Sequence, residues 1–185
     1  ATGSNVGCNL RRVSDSHTCD LLLTTSGTFG LTTSCSTPAE NGTVLATWLT
    51  ATSAVVVTAY DQSGNGRNAT EATAGKQPAL TLAYANGMPC IHPDGASTIL
   101  LGSFVSHAQP NSMTLTAAHL GVFGAGAAFS AYVSAGEVID YDDSIEGPDI
   151  FAGVVLSASA TISVNHAMEV VFTTSPNSAV YVDGT

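Results

Sequence analysis

A chain of 185 residues is long enough to bury a sizeable core as one domain. It carries 14 acidic against 4 basic side chains, a net charge of −10, which argues against nucleic acid and anionic membrane surfaces as partners. Only 10% of residues are charged and no apolar run approaches the ~18 residues of a membrane-spanning helix, so membrane insertion is not expected and the polar surface must be mostly Ser, Thr, Asn and Gly.

The chain opens Ala1-Thr2-Gly3-Ser4 without Met, which suits a processed N-terminus of a secreted protein. Cys8, Cys19, Cys35 and Cys90 form an even set whose spacings fit no zinc site, so disulfides are expected. Three pairings exist; the short loop favours Cys8–Cys19, leaving Cys35–Cys90. The competing reading is four reduced thiols in an intracellular protein. In a eukaryotic setting, Asn41-Gly42-Thr43 and Asn68-Ala69-Thr70 would be glycosylation sequons at Asn41 and Asn68.

Short β-prone runs then alternate with turns. Strands are expected over residues 21–24, 54–60, 79–82, 98–101, 113–118, 129–133, 150–156, 161–164, 169–174 and 179–182. Turns are expected at Asn86-Gly87, Pro93-Asp94-Gly95, Gly147-Pro148 and Ser175-Pro176-Asn177. Helical periodicity is absent, and residues 117–128 read as strand and loop. Many short strands with regular turns predict an all-β sandwich spanning residues 1–185.

The most specific segment follows the Val55-Val56-Val57 run: Tyr60-Asp61-Gln62-Ser63-Gly64-Asn65-Gly66-Arg67-Asn68. It resembles the Tyr-Asp-Gln-Ser-Gly-Asn-Gly signature of concanavalin A-like (laminin-G-like) sandwiches, found in fungal α-L-arabinofuranosidase catalytic domains and in phage and cell-surface modules. Arg12-Val13-Ser14-Asp15, Lys76-Gln77-Pro78, Asn86-Gly87 with Asp94-Gly95, and Tyr181-Val182-Asp183-Gly184 resemble shorter stretches of the same family. The resemblance implies a two-sheet antiparallel jelly roll. An arabinofuranosidase likeness would imply a retaining mechanism with two carboxylates. Its catalytic residues do not carry over to this sequence, and its adjacent cysteine pair has no counterpart here.

Asp183-Gly184 is a type I′ hairpin signal, yet the sequence stops at Thr185. A sandwich lacking its final strands would present an edge and a groove. One reading is a chain that continues beyond this sequence; the other is completion by a strand from a partner copy, with residues 1–9 as a candidate donor.

Two segments offer ligand oxygens. Asp140, Asp142, Asp143 and Glu146, on or after a short strand, form the densest acidic cluster and would take calcium, or serve as a solvated loop. Asp61, Ser63, Asn65 and Asn68 would bind a glycan or metal, or instead hold a turn through Asx-type bonds to the backbone. The histidines are scattered without metal spacing, and no Gly-x-Ser-x-Gly elbow occurs. Trp48 is the only tryptophan, which leaves Tyr60, Tyr84, Tyr132 and Tyr141 as sugar-stacking candidates. The expectation is therefore an extracellular or virion-surface structural or adhesive protein, self-assembling into a homo-oligomer or polymer by strand complementation. A lectin-like carbohydrate-binding module is the alternative, and an arabinofuranosidase-type hydrolase the third.

Overall fold

The computed structural model describes residues 6–27, 29–85, 88–94, 98 and 100–102, followed by the C-terminal strands given below. The chain divides into two compact units, Ala1–Val105 and Ser106–Thr185.

In the first unit, apolar residues at every second position create one buried sheet face. On β1 (Val6–Arg12) Cys8 and Leu10 are buried while Asn9 and Arg11 are not. On β2 (Thr18–Leu22) the buried pair is Cys19 and Leu21, and on β3 (Ala54–Ala59) it is Ala54 and Val56. Register aligns these sets: Leu10 lies opposite Cys19 on one side and Val56 on the other. The result is a six-stranded antiparallel sheet. Its order is β2-β1-β3-β5-β6, with β5 (Ala79–Ala85) and β6 (Met88–His92). The two-residue β4 (Ala69–Thr70) pairs beside Thr58 and Ala59, further along the edge of β3 that β5 uses at Val55.

The segment between β2 and β3 contributes the other half of this core. Cys35, Leu45, Trp48 and Leu49 are buried with the sheet residues. The only described α-helix, α1 (Leu45–Trp48), is a single turn with no side-chain cap. So short a helix does not stand on propensity. The N–H groups of Leu45 and Ala46 donate to the carbonyls of Thr33 and Leu31, at 2.8 and 3.0 Å, and Leu45 and Trp48 are sealed into the core. Burying each such side chain contributes about 1.5–3 kcal/mol.

In the second unit, β8 (Gly126–Ser130), β9 (Val138–Asp142), β10 (Gly147–Phe151) and β11 (Val155–Ser157) form an antiparallel ladder in that order. A separate ladder joins β7 (Asn111–Ala117), β12 (His166–Phe172) and β13 (Ala179–Val182).

The structure departs from the sequence expectation in specific places. β1, an interior strand, was not expected, because Gly7, Asn9, Arg11 and Arg12 dilute its β-propensity; ladders on both sides override that. β6 falls between the expected strands, and β9 carries the short strand read at the start of the acidic segment on to Asp142. Thr98 and Leu100 lie outside any strand, and Leu101 makes only an isolated bridge to Thr70. Gly147-Pro148 opens β10 rather than forming a turn. Pro148, the second residue of β10, pairs with Tyr141 on β9, near the strand start where proline is tolerated. The expected strand over residues 161–164 and the turns at Asn86-Gly87 and Ser175-Pro176-Asn177 lie outside the described residues.

Candidate functional site

The 60–68 loop is built almost entirely from its own signature. The Asp61 carboxylate accepts the N–H of Ser63 at 2.8 Å on one oxygen and the N–H of Arg67 at 3.0 Å on the other. The Asp61 N–H in turn donates to Asn68 Oδ1 at 2.9 Å, closing the loop at its base. Asn65 Nδ2 donates to Ser63 Oγ at 2.8 Å. Gln62 Nε2 donates to the carbonyls of Val6 and Tyr60, at 2.9 and 3.0 Å, pinning the loop to the start of β1. Gly64 and Gly66 sit at φ +81° and +71°, where a Cβ would be strained. Hydrogen bonds from Ser63, first through its hydroxyl, and from the Arg67 N–H hold the Asp61 carboxyl down at about 2. Asp61, Ser63, Asn65 and Asn68 are thus brought together as expected, in the arrangement of a self-bonded turn.

Tyr60 begins this loop and points to a second polar group. Its hydroxyl donates to Asp20 Oδ1 at 3.0 Å, and Asn9 Nδ2 donates to the same oxygen at 2.8 Å. Asn9 and Asp20 are direct cross-strand partners on β1 and β2, so the ladder register creates the pair. Burial, then the bond and charge of Asp20, push the Tyr60 phenol up to about 12. This half-buried carboxylate, amide and phenol set was missed in the sequence. Its signal was faint: Asn9 and Asp20 are the polar members of alternating β1 and β2.

Two further polar groups lock the first unit. Arg12 makes a two-pronged pair with Asp15, donates through Nη1 to the Trp48 carbonyl at 3.0 Å, and lies 5.3 Å from the Trp48 ring centroid. The Arg12 bond holds the Asp15 carboxyl down at about 2. His17 Nδ1 meets Glu40 Oε1 at 2.8 Å, joining the same β1–β2 turn to the turn preceding α1. On the opposite flank, Arg11 Nε donates to Gln77 Oε1 at 2.8 Å, and Gln77 Nε2 donates to the Glu71 carbonyl at 2.9 Å. The buried Glu71 accepts the Thr73 N–H at 2.6 Å, which lowers its pKa. Arg12-Val13-Ser14-Asp15 and Lys76-Gln77-Pro78 therefore carry structural bonds.

The acidic cluster is less of a loop than expected. Asp140 and Asp142 belong to β9 and Asp149 to β10, with Asp140 opposite Asp149 and Asp142 opposite Gly147. Asp143 and Glu146 lie outside the described residues. Among the described residues, no group of three or more His, Cys, Asp or Glu is placed to hold a metal ion.

The cysteine pairing is corrected. Cys19 bonds Cys35, with a Cα–Cα separation of 5.2 Å, while Cys8 and Cys90 are free thiols. Cys8 stands opposite Leu21, so it meets Cys19 only on the ladder diagonal, typically about 7–8 Å, beyond ordinary disulfide reach. Nor can Cys8 reach Cys90. Cys8 faces Ala59, and Cys90 faces Thr81, two residues past the partner of Val55. That offset is roughly 20 Å along the strands and roughly 14 Å across them. Of the sequons, Asn41 is exposed beside Gly42, whereas Asn68 is half-buried and spends Oδ1 on the Asp61 N–H.

Comparison with protein-family models, with curated proteins and with solved structures finds no match for this chain.

Proposed function

We propose that this chain is an extracellular or virion-surface structural or adhesive protein that assembles with copies of itself, built as a concanavalin A-like jelly roll. The observation that carries the reading is the 60–68 loop. Every polar side chain of its Tyr-Asp-Gln-Ser core is bonded to the loop or to the adjoining strands, as a scaffold element would be. The Cys19–Cys35 disulfide fits an oxidising compartment, and the low charge density fits a Ser/Thr/Gly-rich outer surface. Among the described residues, no helix is long and apolar enough to cross a membrane.

Of the donor expected at residues 1–9, residues 1–5 lie outside the described residues. Residues 6–9 belong to β1, which is already paired on both sides. β6 lies at the end of the sheet opposite β2, and Pro89 offers no N–H to an added strand. Sedimentation velocity over a wide concentration range tests the reading. Assembly appears as species heavier than the monomer that grow with concentration; a single monomeric boundary throughout would remove it.

A second reading, glycan binding, is favoured by the convergence of Asn9, Asp20 and Tyr60, a carboxylate, amide and phenol set of the kind that bonds sugar hydroxyls. It predicts saturable glycan binding that Asp20→Asn weakens. Binding unchanged by that substitution would remove this cluster from the account.

A further inference from the structure

Three of the four cysteines share one core. Cys8, Cys19 and Cys35 are all buried, in the cluster that includes Leu21 and Trp48. Leu21 pairs with Cys8 on β1 and bridges Cys35 on its other side. Cys19, two residues before Leu21 on β2, is therefore flanked by a bonded sulfur on one side and a free thiol on the other. Displacement at a disulfide sulfur needs the attacking and leaving sulfurs on opposite sides of the one attacked, and the closed ladder withholds that approach because Cys8 sits on the diagonal from Cys19.

We propose that Cys8 is a reserve nucleophile for the Cys19–Cys35 bridge, and that opening of the β1–β2 ladder together with the segment between β2 and β3 lets the bond migrate to Cys8–Cys19. The step is an isomerisation. The Cys8 thiolate attacks Cys19 Sγ, a Cys8–Cys19 bond forms, the Cys19–Cys35 bond breaks, and Cys35 leaves as thiolate. It takes up the proton that Cys8 gave to solvent, and no oxidant or reductant is consumed.

In the closed state the exchange is silent for two physical reasons. From Cys8 to Arg11 the β1–β2 ladder runs without a register shift and keeps Cys8 on the long diagonal from Cys19. Burial, with a contribution from the Asp20 charge, also pushes the Cys8 thiol up to about 12, so almost no thiolate exists. Opening removes both. Thiol acidity returns towards its ordinary value of 9.0, and chain statistics then favour the nearer partner. Cys8 and Cys19 are eleven residues apart against 16 for Cys19 and Cys35, which favours the new bond by about twofold in an open loop. Once formed, it would leave the segment carrying Cys35, Leu45 and Trp48 untethered. The pairing that sequence proximity favours is thus the alternative state, and the closed fold selects the other.

The experiment uses the full oxidised chain at pH 8, equilibrated across a urea series, quenched with N-ethylmaleimide in acid and mapped by peptide mass spectrometry. A parallel series on Cys90→Ser removes the other free thiol. The expected result without urea is a Cys19–Cys35 link and an unlabelled Cys8. Within the unfolding transition, Cys8–Cys19 appears and maleimide moves to Cys35, in both proteins. Cys8→Ser should keep Cys19–Cys35 intact across the same series. Cys19–Cys35 persisting in the unfolded wild type, with Cys8 labelled instead, would overturn the proposal. So would release of Cys35 to the same extent in Cys8→Ser.

Discussion

Replacing both Cys19 and Cys35 by alanine removes the staple that holds the Trp48 segment over the sheet. The bridge spans 16 residues, and constraining a loop of that length contributes about 3 kcal/mol through the unfolded chain. A unit the size of Ala1–Val105 has an unfolding entropy near 0.22 kcal/mol/K, at about 2.1 cal/mol/K per residue. The expected loss is therefore about 14 °C in Tm. Trp48 reports on it directly, as the only tryptophan, fully buried, and located in the tethered segment. The assay is thermal and urea unfolding followed by tryptophan emission, in wild type, the double variant and Cys8→Ala. The urea slope should also rise in the double variant, since an uncrosslinked chain exposes more surface. A double variant melting within about 2 °C of wild type would refute the reasoning, because the staple would then constrain nothing.

Asp61→Ala should release the amides of Ser63 and Arg67, read as faster hydrogen exchange at those positions with little change in β1; unchanged exchange would dismiss the carboxylate as the loop's organiser. Because the folded Asp61 and Asp15 carboxyls sit near 2, against 3.8 when unconstrained, their stabilisation is full above 3.8 and is lost as pH falls towards 2. An acid titration of the wild type and of Asp15→Asn, whose loss over that window should be smaller, checks this. At high pH the sign reverses. Cys8 and Tyr60 hold their protons up to about 12 in the fold, against 9.0 and 10.0 otherwise, so stability falls as pH rises from 9 to 12. Cys8→Ala with Tyr60→Phe should flatten that decline in urea midpoints. Leu10→Ala, at the fully buried centre of the sheet, should cost about 2–5 kcal/mol in urea unfolding; below about 1 kcal/mol the core would be misplaced.

What the sequence revealed depended on how local the signal was. β3 was legible because Val55, Val56 and Val57 are β-branched and Gly64 ends the run within a few residues. The 60–68 turn was legible for the same reason: its Asx bonds span seven residues or fewer. β1 was not, because its polar members find partners far along the chain, Arg11 at Gln77 and Asn9 at Asp20. The disulfide failed in the same way. Loop length pointed to Cys8–Cys19, but the isolated bridge of Leu21 to Cys35 brings the more distant cysteine closer in space. Short-range entropy lost to tertiary placement. The acidic segment read as a short alternating strand through Asp140 followed by a loop, whereas the hairpin carries β9 on to Asp142 and places Asp140 and Asp149 opposite each other.

The central claim, that this protein is a self-assembling extracellular component, is tested most directly by negative-stain electron microscopy of the purified oxidised chain over a concentration series. The account predicts regular filaments, rings or arrays that become more abundant with concentration. Dispersed particles of monomer size at every concentration, together with saturable glycan binding, would contradict it and leave the Asn9, Asp20 and Tyr60 cluster as the site to pursue.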